Sequence, residues 1–111
     1  MNNQILFLAI YRALECLEEE QQGIKIDEFL DKANPYVFKD RKSADPSIYD
    51  EYSIWLDNSG ITVTDESSFD IAKKYVGNMG YEGILETIDE VEWKALITLI
   101  KSEEPQLLQK P

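Results

Sequence analysis

Carboxylates are the abundant reactive groups of this sequence: 22 Asp and Glu face 11 Lys and Arg, with no histidine and one cysteine, Cys16. Carboxylates can hold a divalent cation or share general acid–base work, but each task demands a particular geometry. Asp57-Asn58-Ser59-Gly60 opens like a calcium loop. An EF-hand needs Gly at its sixth position and Glu at its twelfth, and counting from Asp57 gives Thr62 and Ser68. The segment is therefore read as a helix end and a turn. Asp65, Glu66 and Asp70 fall within about a turn of one helix, where carboxylates from several helices could hold Mg²⁺ or Mn²⁺. The helical di-metal pattern pairs Glu with a histidine three residues on, which this chain lacks, so these acids are read as complementing a helix N-terminus.

The remaining reactive patterns fail in the same way. Ser67-Ser68 has no imidazole to activate it, which removes a Ser-His-Asp arrangement. Gly77-x-x-Gly80 has neither the glycine spacing nor the lysine of a phosphate loop. Nothing places one carboxyl of a pair in a dry pocket, as glycoside cleavage requires. The sequence points to no catalytic, metal-binding or cofactor-binding residues. An enzyme is not expected; only Lys or Tyr chemistry, or a carboxylate-based metal site, would leave one open.

Charge distribution says more than any motif. Residues 15–31 hold seven acids against Lys25, a net of −6, and residues 82–92 hold five acids and no base, a net of −5. Between them, residues 32–42 carry four basic residues against Asp40, a net of +3. With a formal charge of −11 and a pI near 4.3, the chain repels nucleic-acid phosphates and attracts basic surfaces. If the two acidic segments lie side by side, they form one negative surface that steers a basic partner protein. The candidate partner-binding residues are Glu15, Glu18, Glu19, Asp27, Glu28, Glu82, Glu86 and Asp89, with Tyr49 and Tyr81 as exposed aromatic anchors; Tyr52 and Trp55 are read as core.

These residues need a scaffold, and 111 residues with 43% hydrophobic content suffice for one core. From Asn3 to about Gln22 no Gly or Pro interrupts good helix formers, and Gly23 is the plausible cap. Leu6, Ala9, Ile10, Ala13, Leu14 and Leu17 share a face, with Arg12, Glu15 and Glu19 opposite. Ile5 and Leu8 lie on the polar line, so the first two turns are apolar all round. Either other elements wrap them, or Ile5, Phe7, Leu8 and Tyr11 form the interface of a homodimer. Cys16 is read as a small buried hydrophobe. Asp27 caps a short helix to Lys32, which Asn34-Pro35 stops. Tyr36-Val37-Phe38 is an apolar anchor, and residues 39–44 are an exposed polar loop. Asp45-Pro46 starts a helix that runs to Asn58. Residues 65–76 form another, and Thr87-Ile88-Asp89-Glu90 reads as the capping box of the last.

The expected architecture is mainly α: a single domain, residues 1–102, of about five helices packed around the N-terminal one. One short two-stranded β element could pair residues 24–26 with 61–64. Residues 103–111, with two prolines, are expected to form a frayed tail. The apolar run from Ile5 is too short to cross a bilayer and lacks signal-peptide flanks, so the expected location is cytoplasmic, without membrane or nucleic-acid partners. In size, acidity and helical pattern the chain is similar in type to bacterial immunity and inhibitor proteins, although no motif carries that likeness. The expected role is a small acidic interaction module that masks a basic site on another protein. The alternative is a homo-oligomeric structural or regulatory domain joined through the first helix.

Overall fold

Helix α1 (Asn3–Glu20) forms where the helix formers run unbroken, and Asn2 supports its start by accepting a 2.8 Å bond from the Ile5 amide. The structure, a computed structural model, describes residues 1–20 and 26–109. Four further helices follow among the described residues: α2 (Asp27–Ala33), α3 (Pro46–Ser59), α4 (Ser68–Asn78) and α5 (Glu90–Glu103). A 3₁₀ turn at Ile84–Thr87 precedes α5, and a second at Pro105–Gln109 follows it. The radius of gyration, 13.1 Å, is that of one packed unit; about 13 Å is normal for a chain near this length.

The all-round apolar start of α1 is accounted for inside the chain. Helices α2, α4, α5 and the first 3₁₀ turn pack against α1, and Tyr52 of α3 donates a 2.6 Å hydrogen bond to the Asn3 carbonyl. Ile5, Phe7, Leu8 and Tyr11 are 0, 1, 0 and 5% exposed. The expectation that these four side chains form a homodimer interface is therefore corrected: burial within one chain leaves them no surface to offer a second copy. Cys16 also departs from expectation, because it is exposed. On a helical wheel it lies only about 40° from Arg12, on the side that turns to solvent once the apolar first turns are past.

Most helix boundaries follow local chemistry. Asp45 caps α3 by accepting from the Ser47 amide at 3.0 Å, Pro46 occupies the first turn, and Gly60 closes the helix at φ 69°. Helix α4 starts at Ser68 and not at Asp65, because Thr64 and Ser67 bond each other reciprocally, amide to hydroxyl, at 2.9 and 3.0 Å. Asp65 turns instead to Lys101, 2.9 Å away. The capping box of α5 lies two residues later than expected. Asp89 accepts from the Glu92 amide at 2.8 Å while Glu92 reaches back to the Asp89 amide, and Thr87 bonds Ile84 within the 3₁₀ turn. This register buries Trp93, which stacks on Phe69 and donates a 2.9 Å bond to Ser68 Oγ.

Two further expectations change. The described residues contain no strand: residues 61–64 form no regular element, Ile26 leads directly into α2, and 24–25, like the Gly23 cap, lie outside the described residues. The C-terminal segment is not a loose tail as far as Gln109. Glu103 ends α5, Leu107 is 1% exposed within the core, and its carbonyl accepts a 2.6 Å bond from the Asn2 side chain. Burial of Leu107 and the bond from Asn2 both favour the ordered turn.

Candidate functional site

The corner between α1 and α2 gathers the first acidic segment. Glu15 and Glu18 project from the last turns of α1, while Asp27 and Asp31 rise from α2. Burial of Phe29, Leu30 and Ala33 against the core fixes α2 in place, which turns its polar residues toward the end of α1. One oxygen of Glu18, Oε2, is enclosed and meets no hydrogen-bond donor among the described residues. The Glu18 carboxyl lies within hydrogen-bonding reach of Asp27, and two carboxylates can share a hydrogen bond only when one carries a proton. Glu18 is accordingly pushed up to about 7, first by that bond to Asp27, then by lost solvation, then by the charges of Asp27, Asp31 and Glu15. The Tyr11 hydroxyl donates to Glu15 at 3.1 Å, and burial, reinforced by Glu15 and Asp31, drives its phenol well above the ordinary value.

The second acidic segment is put to internal use. Asp89 and Glu92 cap α5, Glu90 lies 3.7 Å from Lys94 and Glu86 lies 4.0 Å from Lys73. Glu82 rests against Gly77. The two segments approach each other where Phe29 of α2 meets the Tyr81 ring, 6.1 Å between centroids. Of the residues proposed from sequence, Glu15, Glu18 and Asp27 come together, Glu28 pairs with Lys32 on its own helix at 3.0 Å, and Glu19 is exposed on α1. Glu82, Glu86 and Asp89 belong to the second segment. Tyr81 is half-buried against Phe29, and Tyr49 is half-buried edge-on against Phe7, 5.2 Å away, so neither stands clear as an anchor. Asp31 is the acid that the sequence list of partner residues omitted; it stands one helical turn beyond Asp27 on α2, a spacing that could have revealed it.

Among the described residues two aromatic side chains, Tyr36 and Phe38, stand exposed. Tyr36, Val37 and Phe38 are 41, 54 and 52% exposed, so this apolar run stands at the surface. Anchoring comes from their neighbours: Gln4 bonds the Asp40 carbonyl, Arg41 bonds Glu104 at 2.7 Å, and Ser43 is buried between the Asp45 carbonyl and the Tyr49 amide.

A separate open cleft of about 390 Å³ lies between α4 and the 3₁₀ turn, floored by Val76 and Leu85 and edged by Lys73, Lys74, Glu82 and Glu86. Among the described residues no three acidic or thiol side chains converge to hold a metal ion, and no helix is long and apolar enough to cross a membrane. The fold and the acidic corner together define a small all-α domain with a concentrated patch of carboxylates. No protein-family model, curated protein or solved structure matches the chain.

Proposed function

We propose that this protein is a small acidic interaction module of the cytoplasm, an inhibitor- or immunity-type factor that acts by binding and not by catalysis. Its α1–α2 corner covers a basic site on another protein. The observation that carries the reading is Glu18 pressed against Asp27, with Glu15 and Asp31 beside them. Bringing like charges this close opposes folding, and a cation from a partner relieves it, so part of the corner's unfavourable self-energy becomes favourable energy of association. A net charge of −11 adds long-range attraction for basic surfaces.

Titration calorimetry with a lysine-rich peptide tests this. Affinity falls at least about tenfold between low and physiological salt, as the Debye length shrinks from about 30 Å to about 8 Å. Neutralising Glu15, Glu18, Asp27 and Asp31 as Gln or Asn removes most of the affinity. The same neutralisation of Asp50, Glu51, Asp57 and Glu66, which are exposed elsewhere, removes little. Equal losses from the two sets would show that net charge, not the corner, is responsible.

A further inference from the structure

Resting on that reading, we propose that Val37 and Phe38 form the apolar anchor of the same binding face, so that the basic partner offers a hydrophobic pocket beside its cations. Four observations converge on this loop. First, Val37 and Phe38 stand about half exposed next to Tyr36, although large apolar side chains are usually covered. Second, Tyr36 ties the loop to the acidic corner: its ring lies 6.2 Å from that of Tyr11, whose hydroxyl bonds Glu15 and which feels the charge of Asp31. Val37 and Phe38 follow Tyr36 directly, so they lie within about 8 Å of it along the chain.

Third, the loop is held rigid. Arg41 sits at φ 59°, a conformation non-glycine residues rarely adopt. It is kept there by Glu104, which is itself buried, and by the Tyr36 ring, 5.4 Å from its guanidinium carbon. Gln4, Ser43 and the 2.8 Å bond from the Asp45 amide to the Lys32 carbonyl fix the remainder. Strain supported by several tethers marks a segment held in shape for a purpose, and a preformed loop loses little entropy on binding.

Fourth, the two arginines around the loop are paired internally, which lessens the repulsion that a basic stretch would exert on a basic partner. Arg12 pairs with Glu103, Arg41 with Glu104, and Lys42 lies over the Tyr49 ring, which leaves Lys39 exposed beside Phe38. The carboxylates of Glu15 and Asp31 lie across Tyr11 from the Tyr36 ring. An apolar centre flanked by charge is the usual plan of an interface hot spot, and these carboxylates make a basic protein surface the fitting occupant.

The test uses the full-length protein and two lysine–glycine peptides, one with a central Leu-Leu pair and one with Ser-Ser in its place. Wild type should bind the Leu-Leu peptide at least about tenfold more tightly, as expected for burying apolar side chains. The Val37→Ser/Phe38→Ser variant should bind both alike, with an unchanged melting temperature. Neutralising the corner should weaken both peptides in parallel and leave their ratio intact. If the ratio is near one in wild type, or survives in the variant, the anchor is overturned while the acidic-corner reading stands. If corner neutralisation leaves the Ser-Ser peptide unaffected, that reading fails separately. A marked drop in melting temperature of the variant would make the two side chains structural and overturn the anchor. Dimerisation by sedimentation that requires Phe38, or Phe38-dependent binding to vesicles of phosphatidylcholine and phosphatidylglycerol, would assign the loop to a second copy or a membrane and also overturn it.

Discussion

The two acidic segments carry nearly the same charge, −6 and −5, yet the fold treats them in opposite ways. The second segment distributes its carboxylates into local tasks: a helix cap, an i,i+4 pair with Lys94, and a contact with Lys73. Glu86, Asp89, Glu90 and Glu92 each have a donor or a cation within reach. The first segment presses Glu18 against Asp27, with Glu15 and Asp31 adding charge of the same sign. Counting acids predicts equal behaviour from the two. Asking what each carboxylate touches predicts that one segment stabilises the fold and the other opposes it, the strain on which the proposed association draws.

The largest test strikes at the helix that supports both. Leu8→Glu places a carboxylate in a fully buried position of α1, and should cost more than about 5 kcal/mol, comparable to the whole stability of a small domain. Circular dichroism should show loss of helix. A folded variant would contradict the burial of α1 on all sides. Next comes Asp89→Ala, which removes the α5 cap; a loss of about 1 kcal/mol is expected, seen as a lower denaturation midpoint. The corresponding change in the first segment, Glu18→Gln, should cause no loss at neutral pH and should raise the midpoint, since it removes like-charge repulsion. Destabilisation by Glu18→Gln would erase the contrast between the segments.

The pH dependence sharpens the same contrast more gently. Glu18 has a folded value raised from 4.5 to about 7, so in that window the folded chain holds more proton than the unfolded one. Its contribution is fully present below 4.5 and lost as the pH rises through about 7. Asp65, lowered by its bond to Lys101, acts in the opposite sense: its contribution is present above the ordinary 3.8 and lost as the pH falls through its depressed value. Urea midpoints measured between these limits should decline toward neutrality in wild type, with a smaller decline in Glu18→Gln. Parallel profiles would remove Glu18 as the cause.

What could be read from the sequence was whatever a few adjacent residues decide. Asp45-Pro46 announces α3 because the cap bond spans two residues. The α5 box was misplaced because Thr87-x-x-Glu90 and Asp89-x-x-Glu92 both satisfy the pattern. The choice between them rests on the preceding 3₁₀ turn and on which register buries Trp93, and both are tertiary facts. The apolar start of α1 was legible as a pattern, but its two explanations differ only in what surrounds the helix. The acidic corner is half legible: Glu15, Glu18 and Asp27 stand out in the sequence, Asp31 does not, and their convergence depends on how α2 docks. The exposure of Val37 and Phe38 was hidden altogether, since the tethers that hold their loop come from Gln4 and Glu104, at opposite ends of the chain.

The most direct test of the central claim is an NMR titration of the Glu18 side-chain carboxyl in the full-length protein. A midpoint near 7 is expected, falling toward the ordinary 4.5 in Asp27→Asn, whose amide can donate to an ionised Glu18. A Glu18 that titrates with the exposed glutamates, near about 4.3, would mean that its carboxylate is not crowded by Asp27, and the contrast between the two acidic segments would fall with it.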